Sequence, residues 1–181
     1  MAARSTHTKY GAVAVSIHWI SALAIILMLG TGFRASSLAE SADKAAILSA
    51  HVVLGSLVLV LTLARLAWWL WADKKPAPPQ GDPAWQTRSA KAVHILFYVV
   101  ILGMAASGIG MLALSGAAAI VFGDTGQNLP DFREFLPRAP HGLGARLLLA
   151  LFVLHVGAAL YHHFVKKDGL IWRMWYGNRG V

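Results

Sequence analysis

The chain has 181 residues, 57% of them hydrophobic and 13% charged, with a formal net charge of +8. That length suits one domain, and the apolar residues fall in runs without the polar face of a soluble bundle helix. Cysteine is absent, which excludes disulfides, thiolate metal sites, cysteine-held iron–sulfur clusters and c-type haem attachment, so any redox cofactor must be held by His or Met.

In chain order, residues 12–33 form a run of 22 with His18 as the only ionisable side chain. It is longer than the core of a secretory signal, usually about 7–15 residues, and reads as a retained membrane helix. Residues 45–71 carry only His51 and Arg65. After them, Pro76-Ala-Pro-Pro79 cannot continue a helix. Residues 93–114 form the third run, with His94 near its start, and residues 142–165 the fourth. Between these two, 117–122 reads as the end of the third helix, and Gly123-Asp-Thr-Gly126 as a turn. A helix rises about 1.5 Å per residue, so roughly 20 residues cross a bilayer core about 30 Å thick, and four runs meet that length. The prediction is an all-α integral membrane four-helix bundle, up-down, in one domain over residues 1–181.

Lys and Arg set the orientation. The N-terminal tail, the loop between the second and third runs and the C-terminal tail together hold ten of the sixteen basic residues. The positive-inside rule places all three in the cytoplasm, with both termini. It also accounts for the net charge without nucleic-acid binding, for which there is no basic module.

The histidines carry the chemistry, because ionisable side chains inside a membrane are costly and point to function. His141 and His155 are 14 positions apart on the fourth helix, which puts them on one face at depths about 21 Å apart. Counted from the flanking lysines, His18 matches the depth of His155 near the cytoplasmic end. His51 matches His141 near the outer end. Two imidazoles on different helices at one depth suit six-coordinate haem, so the pairs point to two haems b. Zinc fits poorly, since its four ligands must converge on one point. A proton relay is the stronger rival, although no carboxylate lies in any run. Arg65, 14 positions after His51, comes to the inner haem's level, either as a propionate partner or as a snorkelling arginine.

Ser16-Ile-His-Trp19, Ala50-His-Val-Val-Leu-Gly55 and His155-Val-Gly-Ala-Ala-Leu-Tyr-His-His-Phe164 followed by Lys167-Asp168 resemble the bacterial cytochrome b561 family over nearly the whole chain. The stretch around His141 shares little beyond the histidine and its spacing. The resemblance implies haem iron ligation by His18, His51, His141 and His155 in a bacterial inner membrane. It also implies electron transfer from an outer donor such as superoxide to ubiquinone. Related subunits of formate dehydrogenase and nickel–iron hydrogenase use the same haem pattern, so the alternative is an anchor subunit that relays electrons from a separate dehydrogenase or hydrogenase to quinone. The outer loops are slightly acidic, so superoxide rests on the resemblance and not on a broad anion funnel.

Two further histidines lie on the cytoplasmic side. His162 follows His155 by seven residues and His94 opens the third helix. They are candidate quinone contacts and proton donors, with Trp19 as an aromatic wall and Arg88 and Lys91 as stabilising positive charge. The alternative for His94 and His162 is an interfacial polar residue or a propionate partner.

Overall fold

A computed structural model describes residues 2–39, 42–78, 81–123 and 128–176. The described residues are helical where regular, with no strand among them. The helices are α1 (Ala12–Ser37), α2 (Ala42–Ala67), α3 (Ala84–Ser115), the short α4 (Ala118–Phe122) and α5 (Arg138–Tyr161). One turn of π-helix extends α2 over Trp68–Ala72, and another extends α5 over His162–Lys166. All but α4 are long and apolar enough to cross a membrane. In a hydrocarbon core only a helix or closed barrel satisfies every backbone group, so such runs have little alternative to the helix.

The helix ends follow local chemistry. Pro83 and Pro137 stand just before α3 and α5, where a missing N–H costs nothing. Gly116 ends α3 in a left-handed conformation with φ 66, the usual glycine stop. Residues 117–122 therefore do not continue the third helix. They begin again as α4, whose Val121 packs with Ala117 and Leu129 over the loop at that end. The turn expected at 123–126 lies outside the described residues beyond Gly123. α3 starts at Ala84, well before the apolar run at Val93, and its first two turns carry Gln86, Thr87, Arg88 and Ser89, which a search for apolar runs passes over.

α1 packs mainly against α2, and α3 against α5. The core is a mid-bundle layer of Ile25, Met28, Leu29, Val58, Ile101 and Leu148. Outward, Leu23, Val53, Val60, Val99 and Val153 are exposed, an apolar surface suited to lipid.

At the end carrying both termini, three segments are strapped together. Asp73 accepts from Ser5 N–H at 3.0 Å, from the Ser5 hydroxyl at 2.7 Å and from the Trp68 indole at 3.2 Å. Arg173, in the 3-10 turn Leu170–Met174, donates to the carbonyls of Thr8 at 2.7 Å and Ala77 at 2.6 Å. These bonds close the termini end with backbone and side chains of the two tails and the α2–α3 connection.

Candidate haem-binding sites

The far end of the bundle, opposite the termini, holds His51 of α2 and His141 of α5. Their ring centres are 6.1 Å apart at an interplanar angle of 73°. His51 Nδ1 lies 3.0 Å from the Met28 carbonyl. A carbonyl only accepts, so Nδ1 carries the proton and Nε2 is bare. His141 Nδ1 lies 2.9 Å from Ser107 Oγ, which is itself 3.0 Å from the Met104 carbonyl. The hydroxyl's one proton goes to that carbonyl, so His141 Nδ1–H donates to Oγ and its Nε2 is bare as well. Each imidazole is thus held by its outer nitrogen in the tautomer that a metal ligand needs.

The spacing also fits one metal ion between the rings. Two metal–nitrogen bonds of about 2 Å, with roughly 1.1 Å from each nitrogen to its ring centre, place the centres about 6.2 Å apart. A cavity of about 1270 Å³ opens beside the pair. Glycine allows close approach where the histidines meet their neighbours: a Cβ on Gly32 would stand 2.9 Å from His51 Cε1, and one on Gly108 3.3 Å from His141 Cε1.

At the termini end, His18 of α1 and His155 of α5 have ring centres 6.2 Å apart at 66°, the same spacing. Arg65 Nη1 lies 3.4 Å from His18 Nδ1, and Arg65 Nε is buried without a hydrogen-bond partner. A buried guanidinium left short of acceptors fits an anionic group, such as a haem propionate, at this level. His94 comes from α3 to 5.6 Å from the His155 ring, as does Phe97. Trp19 stands edge-on to His18 at 5.3 Å, and its indole donates to the Met174 carbonyl at 2.7 Å.

The four sequence-predicted ligands therefore meet as the two expected pairs, and Arg65, Trp19 and His94 gather at the termini-end pair. His162 has a partner that its spacing alone did not reveal: Nδ1 lies 2.5 Å from Asp168 Oδ2. Arg88 and Lys91 are exposed on α3, and among the described residues no hydrogen bond or ion pair joins them to His162. Sequence reasoning read Ser107 only as a small packing residue and missed its role, and that of the Met28 carbonyl, as an acceptor for histidine. Ser107 had a signal, as a hydroxyl residue on an apolar helix beside Gly108.

Residues 9–177 match the sequence profile described as prokaryotic cytochrome b561. The chain belongs to this family. Its relatives include "Cytochrome b561 homolog 1" of Escherichia coli (strain K12), 28% identical over 174 residues, 92% of this chain and 96% of that protein. "Probable superoxide oxidase CybB" of Yersinia pestis is 28% identical over 178 residues, 96% of this chain and 99% of that protein. "Cytochrome b562" of Cereibacter sphaeroides is 33% identical over 126 residues, 68% and 65% of the two chains. Membership in the cytochrome b561 family makes this a haem-binding membrane electron-transfer protein. The all-helical fold with four membrane-length helices agrees with it.

Proposed function

We propose that this cytochrome b561 binds two haems b, one between His51 and His141 and one between His18 and His155. It passes electrons from a donor on the outer face of a bacterial inner membrane to ubiquinone on the cytoplasmic face. The observation that carries this reading is the pair of ring-centre spacings, 6.1 and 6.2 Å, at opposite ends of the bundle. The haems would supply one-electron acceptor and donor sites at two depths. The protein's own residues hold the imidazole tautomers through Met28 and Ser107 and offer a cation, Arg65, to a propionate. They also keep water from the mid-bundle layer around Val58 and Leu148.

The termini end is assigned to the cytoplasm because it carries the excess of Lys and Arg. There, His162, His94 and Trp19 form the polar and aromatic edge of a quinone site, with Arg88 and Lys91 adding positive charge at the membrane boundary. The outer donor is superoxide, by likeness to the Yersinia pestis relative. Two superoxides each lose one electron to become dioxygen, and one quinone takes both electrons and two protons to become quinol.

The test is to place the purified chain in sealed vesicles of known orientation containing ubiquinone. Superoxide generated only on the face away from the termini is expected to reduce both haems and form quinol. Reduction solely from the termini side overturns the direction, and no superoxide-dependent quinol overturns the donor and acceptor together.

A further inference from the structure

The last turn of α5 widens into the π-helical turn His162–Lys166, and the chain then passes through left-handed Lys167 (φ 52) and Gly169 (φ 73). π turns of this kind often occur at functional sites. The reversal folds Asp168 back onto the turn it follows. Its Oδ2 lies 2.5 Å from His162 Nδ1, and its Oδ1 accepts from Leu170 N–H at 3.0 Å. Lys166 Nζ is 3.9 Å away. It is engaged instead by Asp82 just ahead of α3, and it donates to Gln86 at 3.2 Å. Asp168 therefore bonds the imidazole directly, and Lys166 acts on it only at longer range. The two side chains are largely covered, at 12% and 22% exposure.

We propose that Asp168 is the positioning residue for proton delivery to quinone, holding His162 so that its Nε2 faces the quinone oxygen as acid. This rests on the quinone reading of His162. An ionised carboxylate only accepts hydrogen bonds, so His162 Nδ1 must carry a proton, and Nε2 is the remaining atom for chemistry. Donation from Nε2 requires the doubly protonated ring, and the Asp168 carboxylate 2.5 Å from Nδ1 lies beside that ring. The carboxyl is held ready for this. Burial alone would raise its pKa, but the hydrogen bonds from His162 and Leu170 and the nearby charge of His162 and Lys166 hold it below its ordinary range.

The proton balance is simple. Two electrons drawn from the reduced haem side and two protons convert quinone to quinol. For each proton, the N–H bond at Nε2 breaks and an O–H bond forms on the quinone. The imidazole keeps its Nδ1 proton, hydrogen-bonded to Asp168, and regains the other from the aqueous side. Lys166 paired with Asp82 pins the reversal to α3, so the dyad is fixed relative to His94 and the His18–His155 level.

The experiment uses the full chain loaded with haem. The haems are reduced chemically and mixed without oxygen with a short-chain ubiquinone, and haem reoxidation is followed by stopped flow. Asp168→Asn is expected to lower the limiting rate about ten- to hundred-fold, with the half-saturating quinone concentration within about two-fold. The haem spectrum should be intact, and Asp168→Glu should recover most of the rate. Wild-type kinetics in Asp168→Asn, while His162→Leu is slow, overturns the role of Asp168 and leaves the quinone site standing. Wild-type kinetics in both variants overturns the quinone reading itself. A raised half-saturation with an unchanged limiting rate also overturns the proposal, because it shows a binding role alone. If Asp168→Asn disturbs the haem spectrum, Asp168→Glu decides. A limiting rate near wild type then supports the assignment, and a loss as deep as that of His162→Leu with an intact spectrum overturns it.

Discussion

Arg65 approaches His18 with Nη1 3.4 Å from Nδ1, while its Nε is buried and unpartnered. Guanidinium is a donor without acceptor capacity. A His18 Nδ1 that accepts from it keeps its proton on Nε2, the nitrogen that faces His155 in the two-haem reading. An anion bound beside Arg65 would draw the guanidinium away and leave His18 free to take the tautomer that a metal ligand needs. In the proposed arrangement, one side chain would thus connect a haem propionate to the ligand His18.

Arg65→Gln is therefore expected to lower the midpoint potential of the termini-end haem. A nearby cation favours the ferrous state, and removing a charge effect of about 1 kcal/mol corresponds to roughly 40 mV for one electron. A redox titration followed at the haem bands checks this. The far-end haem should keep its potential, and an equal shift in both haems would show a general structural effect.

Haem stoichiometry tests the pairing itself. The wild-type chain is expected to bind two haems b, each low-spin. His51→Ala or His141→Ala should remove the far-end haem and spare most of the other, and His18→Ala or His155→Ala should do the reverse. Pyridine haemochrome assay against protein concentration reads the ratio. A ratio of one in well-folded wild type sinks the scheme.

The glycines beside the far-end pair give a graded steric test. In Gly32→Ala the new methyl would stand 2.9 Å from His51 Cε1, so the ring or α1 must shift, whereas in Gly108→Ala the distance to His141 is 3.3 Å. Far-end haem occupancy should fall more for Gly32→Ala than for Gly108→Ala, with the termini-end haem retained in both. Resolved haem spectra of the purified variants give the order, and a reversed order contradicts the packing.

The Ser5–Asp73 strap predicts an acid-sensitive termini end. Burial would raise the Asp73 pKa, but hydrogen bonds from the Ser5 hydroxyl and amide, Lys74 N–H and the Trp68 indole lower it overall. Its folded pKa is thus below the unfolded value of about 4. The stability it contributes is fully present above that value and is lost as pH falls through the depressed folded pKa. Tryptophan fluorescence of the intact chain should show a transition below about pH 4 that Asp73→Asn removes. An identical transition in the variant would assign it elsewhere.

Much of the molecule was legible in its residues. The four spans were, because an unbroken apolar run in hydrocarbon has little choice but the helix. The depths of His18, His51, His141 and His155 were legible too, because a helix advances by a fixed rise per residue. What the tertiary structure decided depends on rotation and on contacts between segments. Helices apolar on all sides carry no face signal to set which side meets a neighbour. The approach of His94 to His155, the acceptors Met28 and Ser107 behind the far-end imidazoles, and Arg65 beside His18 are therefore results of packing. The break at Gly116 separates α4 from α3, and the reversal through Lys167 and Gly169 gives Asp168 to His162. Both depend on left-handed backbone, and a span count does not register which residue adopts it. Sequence alone determined the level of each histidine along its helix, because that follows from covalent spacing. Only the fold determined what each one touches, because that follows from how separate helices turn toward one another.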